Sequence, residues 1–184
     1  MGERSAHRVK VFGIEAGRIR YDHGIDGATL RRARRMSTAT VRSVRRDELD
    51  DLLELYRQLN PADPELAPEE VAGQWDEMIA DADLDIVVVE HDGRLVATCL
   101  LSVTKNLTRG ARPFALVENV VTREEYRGEG FGTQCVEGAV ERARERGCYK
   151  VMLLTGSDEA WTHEFYESCG FDSEAKTGFT LDLR

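Results

Sequence analysis

No run of this 184-residue chain approaches the roughly 18 to 20 consecutive apolar residues that a membrane-spanning helix takes. The opening residues also lack the charged head, apolar stretch and small-residue cleavage site of a secretory signal, so a cytoplasmic protein is expected. Cysteine is sparse. Cys99, Cys135, Cys148 and Cys169 include no Cys-x-x-Cys pair and have no nearby histidine to complete a zinc site, which argues for reduced, packed thiols and against a metal. No internal repeat is present, and a hydrophobic share of 41% over this length suits one buried core, with two independent domains cramped.

Charge is unevenly spread. The formal net charge is −9, yet residues 1–35 hold nine basic and four acidic side chains, leaving 16 basic and 30 acidic for the remainder. An acidic body repels nucleic acid and anionic membrane, so neither is expected as a partner, and it mildly favours cationic partners such as amines. Residues 1–38, with scattered glycines and the cluster Arg31-Arg32-Ala33-Arg34-Arg35, read as a flexible basic extension ahead of a folded domain at 39–184, with Met36 a candidate start of translation. A nucleic-acid arm is the weaker reading, because aromatic interleaving is missing.

From Thr40 the pattern is regular. Thr40-Val41-Arg42-Ser43-Val44 alternates as a strand, and Asp47 stands where an N-cap would open a helix carrying Leu49, Leu52, Leu53, Tyr56 and Leu59, ended by Pro61. Pro68 starts a second helix through Val71, Trp75, Met78 and Ile79. The apolar run Ile86 to Val89, an Asp92-Gly93 turn and Leu95 to Val103 make a hairpin. A basic loop from Lys105 to Pro113 precedes a strand over Phe114 to Val121. Helices are expected from about Gly130 to Arg146, stopped by Gly147, and from Glu159 to Ser168, stopped by Gly170. Strands at Lys150 to Thr155, near Phe171 and at Phe179 to Leu183 complete an α/β order with a mixed sheet.

The most informative segment is Arg127-Gly128-Glu129-Gly130-Phe131-Gly132, lying between a strand and an amphipathic helix. Glycines at alternate positions clear side chains from a place where a ligand must approach the backbone. Their N–H groups can converge as an anion nest, and the helix start adds partial positive charge, an arrangement suited to a diphosphate with Arg127 at its edge. The segment lacks the Gly-Lys-Ser/Thr ending of a nucleotide-hydrolysing loop and the Gly-x-Gly-x-x-Gly dinucleotide spacing.

With Phe165-Tyr166-Glu167-Ser168-Cys169-Gly170-Phe171 downstream, Arg-x-x-Gly-x-Gly after a strand resembles the paired signatures of the GNAT superfamily of N-acetyltransferases, over about residues 40 to 183. The local wording around Glu118 is most similar to the glucosamine-phosphate N-acetyltransferase branch and its bacterial relatives. The resemblance implies a GNAT fold: a mixed, mostly antiparallel twisted sheet flanked by helices, in which a bulge near Glu118 and Asn119 splays two central strands into a V-shaped cleft. It implies acetyl-coenzyme A as co-substrate, with the backbone of Asn119, Val120 and Val121 pairing the pantetheine arm. Arg127, Gly128, Glu129, Gly130, Phe131, Gly132 and Thr133 would then hold the pyrophosphate. The family's frequent asparagine six positions before the Phe-Tyr pair is replaced here by Glu159.

An alkylamine with a pKa of about 10 is protonated near neutrality, so a base must take its proton as it attacks a thioester. Glu118 is the candidate base, its alternative being a strand-end residue paired with an arginine such as Arg112 or Arg123. Tyr166 matches the family's frequent acid for the departing thiolate. No cysteine has an activating histidine, which disfavours an acyl-cysteine route. His163 reads as a surface residue and Trp161 as core or cleft wall. The expected acceptor site lies between the first two helices, with acidic Asp63 and Glu65, and the basic loop of Lys105, Arg109 and Arg112. The acceptor expected is a small-molecule primary amine, an amino sugar or amino acid ahead of a protein amine. A module that binds acyl-coenzyme A without turnover is the alternative from another class. The resemblance also makes a homodimer plausible.

Overall fold

A computed structural model describes residues 39–183; the expected extension at 1–38 lies outside the described residues. Strand β1 (Thr40–Ser43) leads through a 3-10 turn at Arg46–Glu48 into α1 (Leu49–Leu59) and then α2 (Pro68–Ala80). Strands β2 (Leu84–His91), β3 (Arg94–Thr104) and β4 (Phe114–Thr122) follow, then α3 (Phe131–Glu145), β5 (Val151–Met152) and α4 (Ala160–Ser168). The strands lie in chain order across one sheet, antiparallel except for the parallel β4–β5 pair.

The run Ile86-Val87-Val88-Val89 is buried at every position because helices cover both faces of β2. Val87 and Val89 point to a core shared with Phe131, Cys135, Ala139 and Ala143 of α3, while Ile86 and Val88 point to Leu52, Leu55 and Trp75 of α1 and α2. Strand period two and helical spacing thus meet in two apolar layers.

Local chemistry sets most boundaries. Pro68 occupies the first turn of α2, where its missing N–H costs nothing, and Glu70 accepts the Ala67 N–H at 2.9 Å. Asp92 and Gly93, at φ of 50° and 77°, form the two-residue turn between β2 and β3. The expected N-cap role of Asp47 is not observed. Glu48 accepts the Arg45 N–H at 2.7 Å instead, so the turn closes one residue later and α1 begins at Leu49.

The end of the chain corrects the sequence expectation further. The strand expected over Lys150–Thr155 is two residues long, and residues 171–183 carry no strand. A strand needs a ladder beside it, and β5, at the sheet edge, stops at Met152. Phe179, Leu181 and Leu183 are left 93%, 83% and 91% exposed.

Arg123, just past β4, is buried and fixes α1 to the sheet. Its Nε donates to the Leu95 carbonyl at 2.7 Å, and its two terminal nitrogens meet the Glu54 carboxylate at 2.8 and 2.9 Å. Gln58 of α1 accepts the Glu124 N–H at 2.9 Å. A second cluster joins Arg42 of β1 to Glu48 at 2.5 Å and to Glu90 of β2 at 2.6 Å.

Hydrogen bonds from Arg42 and Arg123 hold the Glu48 and Glu54 carboxyls below their ordinary value of 4.5. A carboxyl depressed by folding contributes stability that is complete above its unfolded value and is lost as pH falls through the folded one. Thermal melts of the wild type should therefore lose Tm as pH drops from about 5 towards about 3. The Glu48→Gln, Glu54→Gln double variant should show a flatter acid limb; an unchanged limb would place the acid sensitivity elsewhere.

Candidate active site

The site starts at an irregularity in β4. On the β3 side Thr98 pairs with Val121 and Leu100 with Glu118, so Asn119 and Val120 together face the single residue Cys99. Asn119 takes a left-handed φ of 52°, which costs a non-glycine residue energy and kinks the strand. On the other edge β4 meets β5 only at Ala115 and Leu116. Beyond Leu116 the two strands part, and that edge of β4 has no strand partner among the described residues. Glu118 is half-buried there, Asn119 exposed, Val120 half-buried and Val121 buried.

Next comes the glycine loop. Gly128 and Gly130 have φ of 76° and 88°, and a Cβ added at Gly128 would meet nothing within 4 Å. Open space and left-handed backbone leave a bare cradle. The first N–H of α3 with an acceptor in its own helix is that of Gln134, bonded to the Gly130 carbonyl at 3.1 Å. Those of Phe131, Gly132 and Thr133 precede it, and Gly130 has no side chain to cap them. Phe131 is 1% exposed, its ring 4.9 Å from His91 and 5.9 Å from Tyr126, so it anchors the loop in the core and leaves only its backbone to a ligand. Exposed Arg127 donates from Nε to the Thr122 carbonyl at 3.2 Å, which pins its guanidinium beside the loop. Glu129 is half-buried.

Helix α4 supplies the facing wall. Gly132 lies against it: a Cβ there would approach the Phe165 ring at 3.4 Å and Thr122 Oγ1 at 2.9 Å, so a side chain would push the loop from Phe165. Tyr166 ends in a built stop. Gly170, at φ of 90°, donates to the Glu167 carbonyl at 2.9 Å, and Phe171 donates to the Tyr166 carbonyl at 3.1 Å. The Phe171 ring then folds edge-on to Tyr166 at 6.3 Å. This is a Schellman ending, and it explains why Gly and Phe follow Phe-Tyr at that spacing.

Burial is the main cause that raises the Tyr166 hydroxyl above its ordinary value of 10, and the nearby Glu118 carboxylate acts in the same direction. The two arginines that competed for Glu118 are engaged elsewhere. Arg112 donates to the Gly147 and Cys148 carbonyls at 3.2 and 3.1 Å, and Arg123 to Leu95 and Glu54. Among the described residues Glu118 makes no ion pair.

The chain matches the family model described as the acetyltransferase (GNAT) family over residues 49–171. It belongs to the GNAT family. It is accordingly an acetyl-coenzyme A-dependent N-acetyltransferase. A glucosamine 6-phosphate N-acetyltransferase of Trypanosoma brucei brucei is 35% identical over 145 residues, 78% of this chain and 95% of that one. Glucosamine 6-phosphate N-acetyltransferase 1 of Oryza sativa subsp. japonica is 36% identical over 127 residues, 65% of this chain and 72% of its own. Among solved structures, an Agrobacterium tumefaciens str. C58 chain named provisionally as an acetyltransferase is 47% identical. It superposes with a TM-score of 0.76 over 78% of this chain and 99% of that one. The mixed sheet and parted strand pair are therefore those of a GNAT fold.

Within this GNAT domain a cavity of about 180 Å³ opens beside the bulge, lined by Leu53, Tyr56, Asn60, Asp63, Leu66 and Asn119 among others. Its rim charges are partly spent: Glu65 pairs with Arg57 at 2.9 Å, and Lys105 with Asp83 at 2.6 Å. His163 is exposed, as expected, but Trp161, expected in the core or cleft wall, is 66% exposed at the first turn of α4. Glu159 precedes that helix with its side chain uninvolved in capping. Cys99 and Cys135 are buried with their sulfurs 3.5 Å apart. Tyr56 was legible only as one more apolar position of α1; nothing in its spacing marks it as a cavity residue. No helix among the described residues is long and apolar enough to cross a membrane.

Replacing Gly170 by Ala meets no steric neighbour and isolates the backbone cost, about 1–2 kcal/mol for a left-handed alanine. Because the Schellman ending orients Tyr166, turnover should fall more than coenzyme A affinity. Calorimetry beside a rate assay separates the two; equal losses in both would show that the ending does not aim Tyr166.

Proposed function

We propose that the protein transfers the acetyl group of acetyl-coenzyme A to a primary amine on a small, hydroxylated molecule of the amino-sugar class, by direct attack in a ternary complex. The observation that carries the chemistry is the Glu118 carboxylate: half-buried at the strand bulge and without an ion pair among the described residues. The relatives named for glucosamine 6-phosphate support the acceptor class.

The expected division of labour follows from these positions. Backbone N–H groups of Arg127 to Thr133 take the pyrophosphate, where glycine gives close approach. The open edge of β4 at Asn119, Val120 and Val121 pairs the pantetheine amides as an added strand would. Glu118 accepts the ammonium proton directly or through water, so that the neutral amine attacks the thioester carbon. A backbone N–H freed by the bulge near Val120 stabilises the oxyanion. The intermediate then collapses, the C–S bond breaks, and Tyr166, whose hydroxyl is protonated at neutral pH, gives the thiolate its proton.

A second proposal concerns assembly. Phe179, Leu181 and Leu183 alternate apolar with Thr180 and Asp182 as a half-buried strand would, and β5 is an edge strand of the sheet. We propose that a second copy covers these three side chains in a homodimer.

Glu118→Gln should lower kcat on the order of 100-fold and Tyr166→Phe by a similar order, with coenzyme A affinity unchanged in calorimetry. A wild-type rate in either variant removes that residue from the chemistry. A thiol-release screen with glucosamine 6-phosphate, amino acids, polyamines and a lysine peptide tests the acceptor class, and a preference for any but the sugar overturns it. For assembly, light scattering should give a dimer for the wild type and a monomer for the Phe179→Asp, Leu181→Asp variant; a monomeric wild type ends that proposal.

A further inference from the structure

Tyr56 carries a hydroxyl shielded from water that has no hydrogen-bond partner among the described residues. It lines the cavity between α1 and the β4 bulge. Asn119 on the β4 bulge favours its ionisation against burial, yet the two make no hydrogen bond of acceptable geometry. Burial dominates and pushes the phenol up to about 12, so at any working pH it is a neutral donor. A buried donor without an acceptor lowers stability, and such a group persists where a ligand supplies the missing partner.

We propose that the Tyr56 hydroxyl is an acceptor-binding group, donating a hydrogen bond to an oxygen of the amine substrate held in this cavity. The inference rests on the acetyl-transfer reading above. An oxygen is the partner because a donor aimed at the amine nitrogen would occupy the lone pair that must attack the thioester. The hydroxyl stands on α1, which Arg123, Glu54 and Gln58 tie to the turn before the glycine loop, so the contact is held in fixed relation to the bound co-substrate. It would favour an acceptor rich in oxygen over a plain alkylamine, because the latter leaves the phenol unpaired in the bound state as well.

The test is Tyr56→Phe in the full chain, with glucosamine 6-phosphate as probe and the oxygen-free amine cadaverine as its comparison. The expected result is a KM for the sugar raised about tenfold or more, an unchanged KM for acetyl-coenzyme A, an unchanged rate with cadaverine, and a Tm equal to or above wild type. The stability arm separates ligand binding from packing, since removing an orphan hydroxyl does not weaken the fold whereas removing a satisfied one does. An unchanged sugar KM overturns the proposal. So does a fall in kcat at unchanged KM, which would move the hydroxyl to the thioester. A Tm lowered by several degrees, showing a protein partner, also overturns it, and this arm reads out whether or not the probe is turned over. Absence of turnover by the wild type with every amine, while coenzyme A still binds, would instead remove the acetyl-transfer reading.

Discussion

One extra residue in β4 governs the site. With Asn119 and Val120 set against Cys99, the strand keeps its antiparallel ladder to β3 on both sides of the irregularity while bending away from β5. The bend converts the inner edge of a sheet strand into an open one within the protein, where unpaired N–H and C=O groups would ordinarily be a liability. The left-handed backbone at Asn119 is the strain that maintains it. Core packing supplies the compensation: Val117 and Val121, on either side, are both buried, in different layers of the core.

Around that opening, three walls are set by backbone terminations. The cradle forms where α3 begins without a side-chain cap; Tyr166 is aimed where α4 stops at Gly170; and α3 itself stops at Gly147, whose N–H bonds Arg144 while that of Cys148 bonds Ala143. Left-handed glycine thus recurs at the start and stop of α3 and the stop of α4, with φ from 72° to 90°. The fourth wall, α1, has no such device and is held by the buried Arg123 guanidinium instead. A buried, hydrogen-bonded pair is weak evidence for net stability, but it fixes geometry, because breaking it strands a charge.

Features governed by short-range chemistry were legible in the sequence. Pro68, the Asp92-Gly93 turn, Gly147 and Gly170 each require a specific backbone state, and each sits where expected. Glycine spacing with the downstream Phe-Tyr pair was enough to identify the family. What depended on distant partners was not legible. Asp47 yielded to Glu48 because Arg42, on β1, holds that carboxylate. The segment from Phe179 to Leu183 has the alternation of a strand but no strand paired with it among the described residues. Trp161 sits at an exposed position of α4, a matter of helix phase that composition could not reveal. The Arg123–Glu54 tie links residues 69 positions apart, and no spacing rule reaches that far.

The fate of the charges bears on how an acceptor could be selected. Sequence alone set an acidic rim, Asp63 and Glu65, against a basic one, Lys105, Arg109 and Arg112, as if recognition were a matter of sign. In the fold Glu65 is paired with Arg57, Lys105 with Asp83, and Arg112 is spent on the carbonyls that end α3. Exposed pairs of this kind are worth little to stability, but each removes a free charge from the rim. The cavity beside the bulge then presents mainly neutral surface, with Asp63 the one carboxylate among its lining residues and without an ion pair among the described residues. Neutral donors discriminate differently from charges: their effect is short-ranged, insensitive to salt, and harsh on a ligand that leaves them unsatisfied. A site of that kind would separate acceptors by where their oxygens lie more than by their net charge.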